Sequence, residues 1–309
     1  MELHQLRYFT AVADLGSFTR AAEKCLVAQP SLSQQIIKLE KELGRPLFER
    51  LGRKVRMTDA GRVLYDQAVS VLTTVDDAKR RVAEAGDSGS GRIGIGAIPT
   101  VAPYLLPSLL KRFREHFQHA EVTVYENLTR HTIAACLEGE LDVALVALPI
   151  TDDLLHVEPL FGEELLLAMS PDHPLAMRPR ITMQDLSGQS FILLDEAHCL
   201  GEQVVSFCKQ QSCLPATNCR SSQLLTVQEL VRLGQGISLI PAMAAALDHD
   251  GRIVYRPLSG TKPTRTLALV WQTHRYQSRL VRQFIETARQ YASSFRQSSR
   301  KSQNGRRKP

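Results

Sequence analysis

Thiols are the side chains of this sequence best suited to chemistry, and they are unevenly spaced. Six cysteines occur, and four of them, Cys199, Cys208, Cys213 and Cys219, fall within 21 residues. No Cys-x-x-Cys pair is present, and the Cys/His spacing fits no zinc signature, so neither a metal nor a cofactor is expected. In a reducing compartment such thiols suit reversible oxidation rather than a structural disulfide framework. The plainer reading is that they are small buried residues, and Cys25 and Cys136 are read that way. His198 precedes Cys199; alone, such a histidine is more often structural.

A second group suits contact with a polyanion. Between Arg45 and Thr58 lie Arg45, Arg50, Arg53, Lys54 and Arg56 against Glu49 alone. Just before them, Leu32, Ile36, Leu39 and Leu43 recur at helical spacing and leave Ser31, Ser33, Gln34, Lys38 and Lys41 off the buried face. Leu26–Gln29 read as a short turn before this helix, and Pro30 sits in its first turn, where proline is tolerated. Two shorter helices precede it. One has Leu6, Phe9, Val12 and Ala13 on its apolar face and ends at Gly16; the other is capped by Ser17 and runs to Cys25. Three short helices with this turn read as a helix-turn-helix, and the basic stretch as a wing on the DNA backbone. A solvated helix face is the competing reading for each polar residue taken singly.

Farther along, Leu64, Ala68, Val71, Val75, Ala78, Val82 and Ala85 alternate in steps of four and three. That heptad pattern wants a partner helix, unless the helix packs on its own domain. Asp87–Gly91 reads as a hinge. Strands are then expected at Arg92–Ile98, Glu121–Glu126, Val143–Leu148, Leu165–Ser170, Phe191–Leu194, Ile237–Leu239 and Thr266–Trp271. Helices are expected at Tyr104–Phe117, His131–Glu138, Leu200–Gln211 and Tyr276–Phe295. The alternation implies an α/β domain with parallel sheets behind an all-α N-terminus. Residues 296–309 read as a disordered basic tail. Neither an 18-residue apolar run nor a signal-peptide pattern occurs, so a cytoplasmic protein without membrane contact is expected. The net charge of +6 is no evidence for nucleic-acid binding by itself, because residues 289–309 alone carry +7.

The N-terminal sixty residues resemble the LysR family of bacterial transcriptional regulators. The resemblance rests on Leu6–Arg7–Tyr8–Phe9, Gly16–Ser17–Phe18, Ala21–Ala22, Gln29–Pro30–Ser31–Leu32–Ser33, Ile36, Leu39–Glu40, Leu43–Gly44, Leu47–Phe48–Glu49–Arg50 and Thr58–Ala60–Gly61. It implies a winged helix-turn-helix at 1–60, a dimerisation helix and hinge at 61–90, and a two-lobed sensor at 91–295 with the periplasmic-binding-protein (type 2) fold. Lobe I is placed at 91–161 and 266–295, and lobe II at 162–265. It also implies double-stranded operator DNA and RNA polymerase as partners, a homodimer or homotetramer, and no enzymatic activity. Gln29, Ser31, Ser33 and Gln34 would reach base edges in the major groove, Pro30 would fix the entry of the chain, Lys38 would also face the DNA, and Arg50, Arg53 and Lys54 would neutralise phosphates.

The remainder is similar to the peroxide-sensing OxyR branch of that family. The matching strings are Ile98–Pro107, His198–Cys199–Leu200 with Gln203 and Phe207–Cys208, Gly236–Pro241, and Arg265–Thr266. Ser238 stands where that branch usually has threonine, and Cys213 and Cys219 are additional thiols. By this resemblance Cys199 is the redox switch and Cys208 its partner, with Thr100, Thr129, His198, Ser238 and Arg265 around the peroxide or effector. The hydroxyls would hold the peroxide oxygens and Arg265 would favour the thiolate. A free thiol titrates near pH ~8.5 and needs such activation; a helix N-terminus would also help. If 200–211 is helical, nine residues separate the two cysteines by roughly 13 Å, whereas a disulfide needs Cα atoms within about 7 Å. Bridging would then require the helix to move or unwind. Two alternatives stand beside this: a small organic effector bound between the lobes, and a thiol peroxidase, which leaves the DNA-reading segment without a role.

Overall fold

In the computed structural model the described residues are 1–51, 54–84, 91–211 and 216–305. The chain divides into two compact units, Met1–Gly86 and Asp87–Pro309.

In the first unit, α1 (Leu3–Leu15) stops at Gly16, whose φ of 59° places it in the left-handed region open to glycine. Ser17 caps α2 (Phe18–Lys24) by accepting from Arg20 N–H at 3.4 Å. α3 (Gln29–Leu43) carries Pro30 in its first turn and ends at Gly44. Phe9, Ala21, Leu32, Ile36 and Leu39 are fully buried in one core with Leu47 and Phe48. Burying each of the larger side chains contributes about 1.5–3 kcal/mol. A hairpin of β1 (Phe48–Leu51) and β2 (Lys54–Met57) follows. Glu40 secures it by accepting from Leu47 N–H at 2.7 Å and Phe48 N–H at 3.3 Å. The long helix α4 (Asp59–Glu84) begins close beneath this turn: a Cβ on Gly61 would lie 2.3 Å from the Leu47 carbonyl oxygen. Along the heptad pattern Ala68 is buried, while Val71 and Val82 are exposed.

The second unit opens with β3 (Gly91–Ala97), α5 (Ala102–His116), β4 (Ala120–Glu126), α6 (Thr129–Leu137), β5 (Val143–Ala147) and β6 (Leu155–Met169). It continues with β7 (Ser190–Leu194), α7 (Cys199–Gln210), β8 (Ala216–Ser221), α8 (Leu224–Arg232) and β9 (Ser238–Pro241). It closes with α9 (Ala242–Ala246), β10 (Val254–Arg256), β11 (Thr264–Gln272) and α10 (Arg279–Gly305). The main sheet runs β10-β6-β11-β5-β3-β4, with β9 also on β6; β7 and β8 pair separately. Its buried side chains gather in two cores, termed lobe I and lobe II below, and Met243 of the 162–265 stretch joins the first. One gathers residues such as Ile93, Leu105, Val143, Phe161, Leu269 and Phe284. The other gathers Leu165, Leu167, Phe191, Val204, Val231 and Ile240.

Two expectations are corrected. The sheets are mixed, not parallel: β3 pairs in parallel with β4 and β5, but β6 pairs antiparallel with β9, β10 and β11. β6 and β11 are the two passages of the chain between lobes, and strands that simply return beside one another run antiparallel. Likewise α10 continues as helix to Gly305, within the stretch 296–309 expected as a disordered tail, whose residues 306–309 lie outside the described residues. Its added residues are mostly Gln, Arg, Lys and Ser, of which the first three are good helix formers.

Candidate functional site

α7 holds both cysteines of the sensor motif in one unbroken helix, with Cys199 as its first residue and His198 as its N-cap. Its two ends meet different surroundings. Cys199 is half-buried and packs against the core of lobe I, although the helix belongs to lobe II. Cys208 is fully buried inside the core of lobe II. One turn in, Gln203 donates to the Leu148 carbonyl of lobe I at 2.8 Å, while its Oε1 is buried and accepts no hydrogen bond among the described residues.

The helix lies close on the end of β7 because residue 201 has no side chain. A Cβ there would come within 2.6 Å of the Leu194 oxygen and 2.8 Å of the Asp195 oxygen. Beneath the first two turns is a void of about 10 Å³, lined by Leu193, Leu200, Gly201, Val204, Leu224, Val227 and their neighbours. That is about the size of one water, but the walls are mostly apolar.

Arg265 is wholly buried, and its guanidinium is fully engaged on three sides. Its Nε donates to Glu163 at 2.7 Å, and its two terminal nitrogens donate to the Thr100 hydroxyl at 2.9 Å and the Thr100 carbonyl at 3.0 Å. Glu163 faces it directly across β6 and β11, and both side chains have no exposure. The other Glu163 oxygen accepts from Met243 N–H at 2.7 Å. A buried cation and a buried anion therefore compensate each other at the passage between lobes, where neither could stay charged alone. Tyr104 packs against both cores nearby, and burial pushes its hydroxyl pKa up.

Of the expected hydroxyls, Thr100 accepts from Arg265 and keeps its own proton to give. Thr129 opens α6 with a buried oxygen that has no partner among the described residues. Ser238 donates to the Ile192 carbonyl at 2.7 Å, so its proton is committed to lobe II. His198 is buried. Glu163 was not read from the sequence. Its partner stands 102 residues away, and no motif marks a carboxylate inside a strand. Cys213 lies outside the described residues. Cys136 is buried in lobe I, which pushes its pKa up to about 12 and makes it inert.

In the DNA-reading unit, Gln29, Pro30, Ser31, Gln34 and Lys38 are exposed along α3, and Ser33 is half-buried. The turn before them is tight enough to hold Leu26 at φ 57°. Arg53 lies outside the described residues, as do the side chains of Arg50 and Lys54.

Comparison with known proteins covers nearly the whole chain. Residues 3–62 match the bacterial regulatory helix-turn-helix of the LysR family, and residues 86–293 match the LysR substrate binding domain. A hydrogen peroxide-inducible genes activator of Dickeya chrysanthemi is 40% identical over 274 residues, covering 88% of this chain and 90% of that protein. Among solved structures, a full-length OxyR cysteine variant from Pseudomonas aeruginosa is 34% identical with a TM-score of 0.75, covering 94% of this chain and 95% of that one. A cysteine mutant of Corynebacterium glutamicum OxyR bound to hydrogen peroxide is 32% identical with a TM-score of 0.63, covering 96% of this chain and 95% of that one.

Proposed function

This chain belongs to the LysR family of bacterial transcriptional regulators and is most similar to its OxyR branch, and we propose that it activates oxidative-stress genes when peroxide oxidises Cys199. One observation carries the reading: Cys199 and Cys208 sit on a single ordered helix, with one thiol at the lobe boundary and the other in the core of lobe II.

The chemistry proceeds in two balanced steps. The Cys199 thiolate attacks one peroxide oxygen; an S–O bond forms, the O–O bond breaks, and the departing hydroxide takes a proton to leave as water. Cys199 is thereby oxidised to a sulfenic acid. Cys208 sulfur then displaces that hydroxyl as a second water, giving a disulfide that cellular dithiols reduce. Thr100 and Thr129 are the hydroxyls with capacity to hold peroxide. Ser238 can act there only as an acceptor, and Arg265 acts as the fixed anchor of Thr100. Nine helical residues separate the sulfurs' backbones by roughly 13 Å, about twice what a disulfide spans. Closing the bond therefore unwinds or displaces α7 and changes the sensor's shape.

At the other end, Gln29, Ser31, Ser33 and Gln34 read base edges while Lys38, Arg50, Arg53 and Lys54 meet phosphates. The exposed Val71 and Val82 of α4 pair with a second copy, which gives a two-fold dimer suited to an inverted-repeat operator, from which RNA polymerase is recruited. Thiol mapping by mass spectrometry, with DNA footprints of reduced and peroxide-treated chain, tests the reading. A selective Cys199–Cys208 bridge and a changed footprint are expected, both lost in Cys199→Ser. Peroxide treatment that leaves both thiols free and the footprint unchanged would overturn it.

A further inference from the structure

A side chain between the two cysteines ties α7 to the opposite lobe. Gln203 follows Cys199 by four residues, a spacing that puts the two on one face of the helix with Cβ atoms about 5–6 Å apart. Both reach lobe I: Cys199 packs against its core, and Gln203 Nε2 donates to the Leu148 carbonyl at 2.8 Å. Leu148 is itself held in place. It directly follows β5, and its N–H donates to the Thr266 carbonyl at 2.9 Å, one residue along β11 from the buried Arg265 that anchors Thr100. Gln203 Oε1 is buried and accepts nothing among the described residues, so the Nε2 donation is what orients this amide.

The geometry points to Gln203 as a positioning residue that sets how readily Cys199 and Cys208 pass between dithiol and disulfide. The inference rests on the proposed peroxide switch and deepens it. The hydrogen bond to Leu148 exists only while α7 keeps its place. The bridge cannot close across an intact helix, because nine helical residues span roughly 13 Å and a disulfide allows about 7 Å. Gln203 stands inside the segment that must give way, four residues from one cysteine and five from the other. Its hydrogen bond therefore stabilises the reduced form, is lost on oxidation, and leaves the bridge easier to reduce.

The test equilibrates the full chain with glutathione, each bridge formed converting one glutathione disulfide into two thiols. The wild type is compared with three variants. Gln203→Met keeps the length and removes the donor; Gln203→Glu also turns an acceptor towards the Leu148 oxygen; Gln203→Lys puts a donor back. The Met and Glu variants should form the bridge about three- to tenfold more readily, the range expected for one such hydrogen bond. A tenfold change is a potential about 30 mV more negative. Lysine should bring the constant back towards the wild-type value. In urea, the reduced Gln203→Met chain should lose stability while its bridged form keeps it, which a general packing defect would not do. Equal exchange constants in the wild type and Gln203→Met would overturn the inference, as would equal stability losses in the two redox forms. Opposite shifts in the Glu and Lys variants, with none in Met, would assign the effect to charge near the thiol and overturn it too. A wild-type chain that forms no Cys199–Cys208 bridge would sink the proposed function itself, and this inference with it.

Discussion

Cys199 and Cys208 stand on one helix but belong to two bodies. The N-terminal end of α7 leans on lobe I through Cys199 and Gln203, over a small void. The C-terminal half is packed into lobe II, with Cys208 at no exposure. Close-packed interiors resist displacement, whereas an end that sits over a void and is tied across the lobes through the Gln203 hydrogen bond opens at lower cost. The difference teaches where movement should start. Any bond joining the two sulfurs must free one end of the helix, and the end with the weaker hold is that of Cys199.

The comparison is broken most severely at the lobe passage that supports this end. Glu163→Gln leaves Arg265 as an unpaired buried cation, which should cost about 3–5 kcal/mol in urea unfolding. An effect below about 1 kcal/mol would show that the pair is not what holds the lobes in register. A smaller change sharpens the contrast. Gly201→Ala puts a Cβ 2.6 Å from the Leu194 oxygen and forces α7 away from β7 at its first turn, an overpacking worth about 1–3 kcal/mol. Alkylation of Cys199 should quicken while that of Cys208 stays slow. If both thiols gained reactivity together, the helix would be moving as one piece and the unequal hold would be wrong.

Much of this architecture was legible in the sequence where local chemistry decides it. Gly16, Ser17, Pro30 and Gly44 fix the helix ends of the DNA-reading unit, and Leu32, Ile36 and Leu39 fix its buried face. The expected helix 200–211 is present but shifted by one residue, as Cys199–Gln210 with Gln211 as its C-cap. What escaped depends on distant residues. β6 was expected only from Leu165, because Glu158, Pro159, Glu163 and Glu164 break the alternation of its first half. That half is a strand because β11 pairs with it from Leu155 to Glu164. β8, α8 and β10 were not foreseen either; β8 is mostly exposed and polar, and it pairs with β7 alone. The Glu163–Arg265 pair exists only once the chain has passed twice between lobes, which no local spacing reports.

The smallest expected effect concerns a thiol that does no chemistry, and it isolates what burial alone does. Cys136 is enclosed in lobe I, where burial outweighs the attraction of Arg275 and pushes its pKa from 9.0 to about 12. In the unfolded chain the same thiol ionises at its ordinary value. Between those two values the folded state keeps a proton that the unfolded state has released, so stability falls as pH rises through that window. Raising pH from 8 to 10 should cost the reduced wild-type chain about 1.3 kcal/mol more than the Cys136→Ala variant, read from paired urea titrations. Parallel losses in the two proteins would mean that Cys136 ionises as freely folded as unfolded. Burial would then fail to explain why this cysteine stays silent, and the ground for setting Cys199 apart from the enclosed thiols would go with it.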